Sequence, residues 1–326
     1  MATYKEIRGT TIQVVDSASS QLGEIFYDSS ARAMKAVNLG SAAWATANNA
    51  STARYGVSGN GLQTAQLVCG GESPPGSPNI NVATEEYDGT NWTNGGNLPA
   101  GKRNASSFGT QTSAVNAAGL TSNPGTVLNS SEEYDGSSWT SGGNVTTARR
   151  NLGSSGVLTA GVIFGGYAPP GRTTATEEYD GSSWTSGGAL STAVSHQVPA
   201  VNGTQTATFS ASGISTAITQ QTEEYNGSSW TSGGNVITGR EQAMGGGTLT
   251  AGLLFGGNAP PGNLTSTEGY DGTSWSAAGN LNAARGTGGG GGTQAASILS
   301  FGTPGPGIAT EEYTGAAPAT VSIDTD

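Results

Sequence analysis

One twelve-residue phrase, EEYDGSSWTSGG at residues 177–188, recurs in variant form along most of the chain and limits what the chain can become. All six tryptophans stand in copies of it: Trp44, Trp92, Trp139, Trp184, Trp230 and Trp275, at spacings of 48, 47, 45, 46 and 45 residues. Tyr87, Tyr134, Tyr179, Tyr225 and Tyr270 each precede a tryptophan by five residues. Tyr313 has no tryptophan after it, and Trp44 has no EEY before it. The two half-phrases complete each other, as they must if the ends of the chain meet in a ring. A period near 45 residues indicates propeller blades or a related array.

A helical repeat of this length needs an apolar stripe at a 3.6-residue period. Here the apolar runs are short and bounded by Gly, Asn, Ser and Asp, so they read as strands. Each repeat holds four. The first opens near Arg54-Tyr55 and is poor in large side chains, which suits a crowded inner edge. The second is Leu67-Val68-Cys69-Gly70-Gly71, matched by Val162-Ile163-Phe164-Gly165-Gly166 and Leu253-Leu254-Phe255-Gly256-Gly257. The third is ATEEY and the fourth SWTSGG, joined by an Asp-Gly hairpin turn.

These features together resemble the kelch repeat: a double glycine closing the second strand, Tyr and Trp flanking the next turn, and an Arg opening the following repeat. The arginine falls ten or eleven residues past the tryptophan, as Arg54, Arg103, Arg149, Arg240 and Arg285, with Val194 in the fourth repeat. The double glycine gives way to Ala118-Gly119, Ser212-Gly213 and Phe301-Gly302 in the even repeats. The resemblance covers residues 41–315 and implies an all-β, six-bladed kelch-like propeller closed by N- and C-terminal strands. Blade six then combines strands from about residues 284–314 with one around residues 42–46. Residues 1–40 form a small N-terminal β extension and 316–326 a C-terminal tail.

Charged residues are only 11% of the chain, and 15 of its 23 acidic residues belong to the repeated phrase, so the net charge of -11 is spread round the ring. A phosphate-binding partner needs a concentrated basic face, so nucleic acid is excluded as a partner. No apolar run approaches a membrane span of about 18 residues, so no membrane insertion is expected. The start, MATYKEIRGT, has no apolar h-region, and the expectation is synthesis in a host cytoplasm without a signal peptide. The single cysteine, Cys69, occupies the slot of Phe164 and Phe255 and reads as a small core residue.

The repeated aromatics read as packing. Each buries roughly 150–250 Å², on the order of 4–6 kcal/mol before entropy is subtracted. The arginines and Glu-Glu pairs read as an ion-pair lattice within the ring; an anion-binding ring of arginines at the channel mouth is the sharper alternative. Copper chemistry of the galactose-oxidase kind needs several histidines, and only His196 exists. Zinc fails on the same inventory, so neither metal nor cofactor is expected. DGSSW differs from the sialidase D-x-G-x-T-W box, and adjacent glutamates on a strand face opposite ways. The expectation is therefore a non-enzyme, with a sialidase-like glycosidase as the remaining enzymatic reading. Gly288 to Gly292 lacks the Lys-Ser/Thr of a phosphate-binding loop.

After the second strand the odd repeats carry Pro-Pro-Gly: Pro74-Pro75, Pro169-Pro170 and Pro260-Pro261, each followed by Gly. Three stiff loops about 120° apart would suit a trimeric partner. The leader resembles N-terminal modules of bacteriophage tail-fibre and other virion proteins, and the TEEYDGTSW-type repeat resembles those of marine phage structural proteins. The resemblance implies a virion structural or attachment protein (tail, fibre or decoration component) that docks through its leader onto other virion proteins. Ile7, Val15, Ile25 and Tyr27 are the candidate docking residues. A carbohydrate-binding adhesin facing a host surface glycan is the alternative.

Overall fold

The computed structural model describes residues 13–15, 25–28, 33–73, 80–121, 125–304, 307–316 and 318–322. The chain divides into two units, Met1–Ala42 with Gly315–Asp326, and Ala43–Thr314. In the first, the strands Gln13–Val15, Ile25–Asp28, Ala33–Leu39 and Pro318–Ser322 make one sheet in that order. The first pair is parallel and the other two are antiparallel. The tail thus supplies an edge strand to the sheet of the leader.

The second unit is a six-bladed β-propeller, all-β, with six four-stranded antiparallel sheets. Blade one shows the pattern: Ser58–Leu62 innermost, then Ala65–Cys69, Thr84–Tyr87 and Trp92–Asn94 outermost. The innermost strands carry Gly and Ser because they converge on the axis. A Cβ on Gly59 would stand 2.7 Å from the Cα of Gly289 in blade six. The glycine run of the sequence is one of these strands, Gly289–Gly292.

Closure is by the two ends of the repeat. Ala43–Ala47 pairs with Thr310–Thr314, setting Trp44 opposite Tyr313 just as Trp139 stands opposite Tyr134. No blade of the ring is left with three strands.

The repeated side chains weld each blade to the one before it. Every tryptophan donates its indole N–H to a Thr or Ser hydroxyl opening the third strand of the preceding blade, at 2.9–3.3 Å. Five of them also meet an aromatic of that blade, as Trp184 meets Phe108 and Trp230 meets Phe164. Blade one has Cys69 and Leu67 in that place, packed with Trp139. Burial pushes the Cys69 thiol up to about 12, which keeps it protonated and inert.

The Glu-Glu motif divides its work because neighbouring residues face opposite sides of a strand. The second glutamate accepts the tyrosine hydroxyl of the following blade, as Glu86 does from Tyr134 and Glu178 from Tyr225, both at 2.6 Å. Desolvation, then the carboxylate contact, pushes both phenols up to about 12. In five blades the first glutamate faces a buried cation of its own blade. Arg54–Glu85 at 2.7 Å and Arg149–Glu177 at 2.6 Å are fully buried, with Arg240–Glu268 and Arg285–Glu311 alike.

Blade two corrects one sequence assignment. Its paired cation is Lys102, on Glu132, and not Arg103. The paired cation stands ten residues past the tryptophan in each of the five blades that have one, so Arg103 lies one residue too far and pairs with Glu72 instead.

Candidate functional site

Two residues past the buried cation, each blade bends sharply into its inner strand. Gly56, Asn104, Asn151, His196, Gln242 and Thr287 all have φ between 53° and 61°. Five of these are not glycine, and a left-handed backbone at such residues is held only where the surroundings impose it. Here the imposing element is a closed ring of backbone hydrogen bonds. The amide of Asn104 donates to Gly56, Asn151 to Asn104, His196 to Asn151, Gln242 to His196, Thr287 to Gln242 and Gly56 to Thr287, at 2.8–3.3 Å. The six residues encircle the propeller axis and present their side chains at its mouth.

Above and within this ring lies a cup of about 110 Å³, lined by the six ring residues and their successors. Deeper, the inner strands line a second space of about 120 Å³ with Ser58, Ser107, Ser154 and Gln197 among its walls. The opposite mouth, of about 270 Å³, is more apolar, with Leu62 and Val157 half exposed at its rim.

The polar mouth is asymmetric, and its distinctive sector lies between blades three and four. His196 Nδ1 is 3.3 Å from Ser195 Oγ and 3.8 Å from Glu241 Oε2. Burial, and then the charges of Arg150 and Arg172, hold His196 down to about 4, so it is neutral at pH 7. Arg172 Nε donates to Ser195 Oγ at 3.1 Å, and the Arg150 guanidinium lies over the Tyr167 ring at 5.1 Å. The other five arginines of the ring are paired with glutamates; Arg150 and Arg172 form no ion pair among the described residues. Arg172 is exposed and Arg150 half-buried, and the nearest acidic influence on this sector is Glu241, which the charge of Arg172 reaches.

Ser195, His196 and Glu241 do not make a charge relay. A relay places the hydroxyl on one ring nitrogen and the carboxylate on the other, whereas here both approach Nδ1. A base held near 4 is also poorly matched to proton abstraction at neutral pH. Among the described residues no cluster of three His, Cys, Asp or Glu side chains stands ready for a metal.

Two of the Pro-Pro-Gly loops stand on the rim of this same mouth. Tyr167–Ala168 pairs with Gly171–Arg172, with Pro169 and Pro170 at the tip. Asn258–Ala259 pairs with Gly262–Asn263 around Pro260 and Pro261. Bridges from Tyr167 to Arg150 and from Asn258 to Glu241 tie both hairpins to the mouth. Pro74 and Pro75 lie outside the described residues, as does Ile7. Val15, Ile25 and Tyr27 lie on the parallel strand pair of the other unit, with Val15 opposite Asp28 and Tyr27 opposite Val14. The repeated tryptophans and tyrosines are the welds between blades, away from the cup.

Sequence reasoning did not single out the ring at the mouth or Arg150 and Arg172. The signal was present: each ring residue falls twelve positions past a tryptophan position, from Trp44 and Gly56 to Trp275 and Thr287. Compared with known proteins, the sequence matches no family model and no curated protein.

Proposed function

We propose that this chain is a non-enzymatic, kelch-like binding platform of a virus particle, a tail, fibre or decoration component, whose polar mouth receives an anionic glycan of the host surface. The observation that carries the binding role is the pair Arg150 and Arg172, neither in a salt bridge among the described residues and both acting on His196, at a cup held rigid by the hydrogen-bonded ring. A guanidinium free of a carboxylate recognises carboxylate or sulfate with charge-assisted hydrogen bonds. Tyr167, Asn151 and Gln242 add the aromatic face and amides that sugar recognition uses. Rigidity lowers the ordering cost of a contact. The particle assignment draws support from the likeness of residues 1–40 and of the TEEYDG phrase to virion proteins.

The test is an array of acidic and neutral glycans probed with the purified protein, with hydrolysis followed in parallel. Acidic glycans are retained without turnover, and Arg150→Gln with Arg172→Gln weakens retention at least about ten-fold, as loss of charge-assisted bonds predicts. Equal binding by the double variant, or saturable hydrolysis, overturns the reading. Immunolabelling of native particles tests the assignment to a virion.

A further inference from the structure

Among the described residues, blade four is the blade whose buried carboxylate meets no cationic side chain. In the other five, the residue ten past the tryptophan position, Arg54, Lys102, Arg149, Arg240 or Arg285, pairs with the first glutamate of its blade. The guanidinium serves three acceptors at once. In blade one, Arg54 Nη2 meets Glu85, while Nη1 donates to the carbonyls of Gly70 at 2.8 Å and Ala83 at 2.7 Å. Arg240 repeats this with Glu268 and the carbonyls of Gly256 at 3.0 Å and Ser266 at 2.9 Å.

Blade four has Val194 at that position and Glu223 as the carboxylate, 5% and 4% exposed. Glu223 keeps its amide partners, Ser191 N–H at 2.8 Å and Thr192 N–H at 3.3 Å, just as Glu268 keeps Ile237 and Thr238. Beyond the short valine lies a cavity of about 10 Å³, bounded by Val194, Glu223, Ser212, Gln221, Thr192 and Ser210. Ser212 and Gln221 are the counterparts of Gly70 and Ala83: the Ser212 amide donates to Gln221 O as the Gly70 amide donates to Ala83 O. The cavity is therefore lined by Glu223 and by the counterparts of the two residues whose carbonyls the guanidinium serves in blades one, three and five.

Burying a carboxylate without a counter-charge is costly, and removing one partner of a buried pair is the strongly destabilising case. About 10 Å³ admits one particle the size of a water. The walls offer carboxylate, carbonyl and hydroxyl oxygens, the donor set of hard cations. With a single carboxylate present, a monovalent ion balances the charge. We propose that blade four takes up a monovalent cation of a water's size, potassium or ammonium, at Glu223, in the role that a guanidinium or ammonium side chain fills elsewhere in the ring.

Thermal unfolding of the full chain in potassium, ammonium or tetramethylammonium chloride at one ionic strength tests this, since the last ion is too large to enter. At roughly ten times the dissociation constant, the small ion shifts the folding equilibrium about ten-fold and raises Tm by roughly 2–4 °C. A rise with either small ion alone identifies the occupant. The increment vanishes in Glu223→Gln, which keeps the shape, and in Val194→Arg, which carries its own cation. If Val194→Arg does not fold, Glu223→Gln alone decides. Equal Tm in the three salts, or an increment unchanged in Glu223→Gln, overturns the proposal.

Discussion

Removing the strand Ala43–Ala47 opens the ring, and the cost can be worked from its contacts. Trp44 is 5% exposed, with its ring 4.8 Å from Phe255 of blade five and 5.2 Å from Tyr313 of blade six. Its indole N–H donates to Thr267 at 3.0 Å across the seam. Truncating a buried tryptophan costs about 3–5 kcal/mol, and the lost hydrogen bond adds about 1 kcal/mol. The sum, about 4–6 kcal/mol, lowers Tm by roughly 8 °C or more in a domain of this size. The comparison is between chains lacking residues 1–40, which keep the strand, and chains lacking 1–48, which do not. Calorimetry reads Tm, and size-exclusion chromatography reads pairing through the exposed edge of Thr310–Thr314. The first truncation should melt with the intact propeller; the second should melt well below it and self-associate. Identical Tm values for the two truncations would refute the closure argument.

Breaking the Arg149–Glu177 pair with Arg149→Met should cost about 3–5 kcal/mol in denaturant unfolding, and adding Glu177→Met should recover most of the loss. Tyr134→Phe leaves Glu86 without its 2.6 Å donor and should cost about 1.5–3 kcal/mol. Tyr313→Phe should cost less, because blade five has Gly269 where a second glutamate would stand. His196 is held near 4 in the folded chain, so below about pH 6.5 the unfolded state binds a proton that the native state does not. Stability should therefore fall as pH drops from about 6.5 toward 4, by up to about 1.4 kcal/mol per unit. His196→Asn, the residue that blades two and three carry there, should flatten that slope in pH-dependent melts.

The ring was legible because its welds are chemically conspicuous. A tryptophan with a tyrosine five residues earlier admits few alignments, and the split phrase at Trp44 and Tyr313 gave closure with the strand placed to within a residue. Residue type misled where offset would have served. Arginine was sought as the opening cation, so Arg103 was chosen over Lys102, although an ammonium fits the same buried carboxylate. The ring at the mouth was hidden for a related reason. Its members share a backbone angle and not a side chain, and nothing in the letters Gly, Asn, His, Gln and Thr announces a common φ near 57°. Val194 stood out in the sequence, but its consequence did not. Only the packing shows that Glu223 stays buried beside it.

The division between repeated and unrepeated residues bears on where function resides. The first glutamate is tied to a buried cation in five blades, the second to a tyrosine hydroxyl, and the tryptophan to the neighbouring third strand. Each of these groups spends its hydrogen-bonding capacity on holding the ring together, and a ligand competing for it would loosen a seam. Groups open to recognition must then come from positions where the repeat is broken. Some of those positions lie together. Arg150, Arg172 and His196 share one sector of one mouth, and the two described Pro-Pro-Gly hairpins rise from the same rim. Departures such as Cys69, Val194 and Gly269 are absorbed in the packing, whereas those that carry polar groups at the surface lie on the face with the hydrogen-bonded ring, which is why the proposed binding role is placed there.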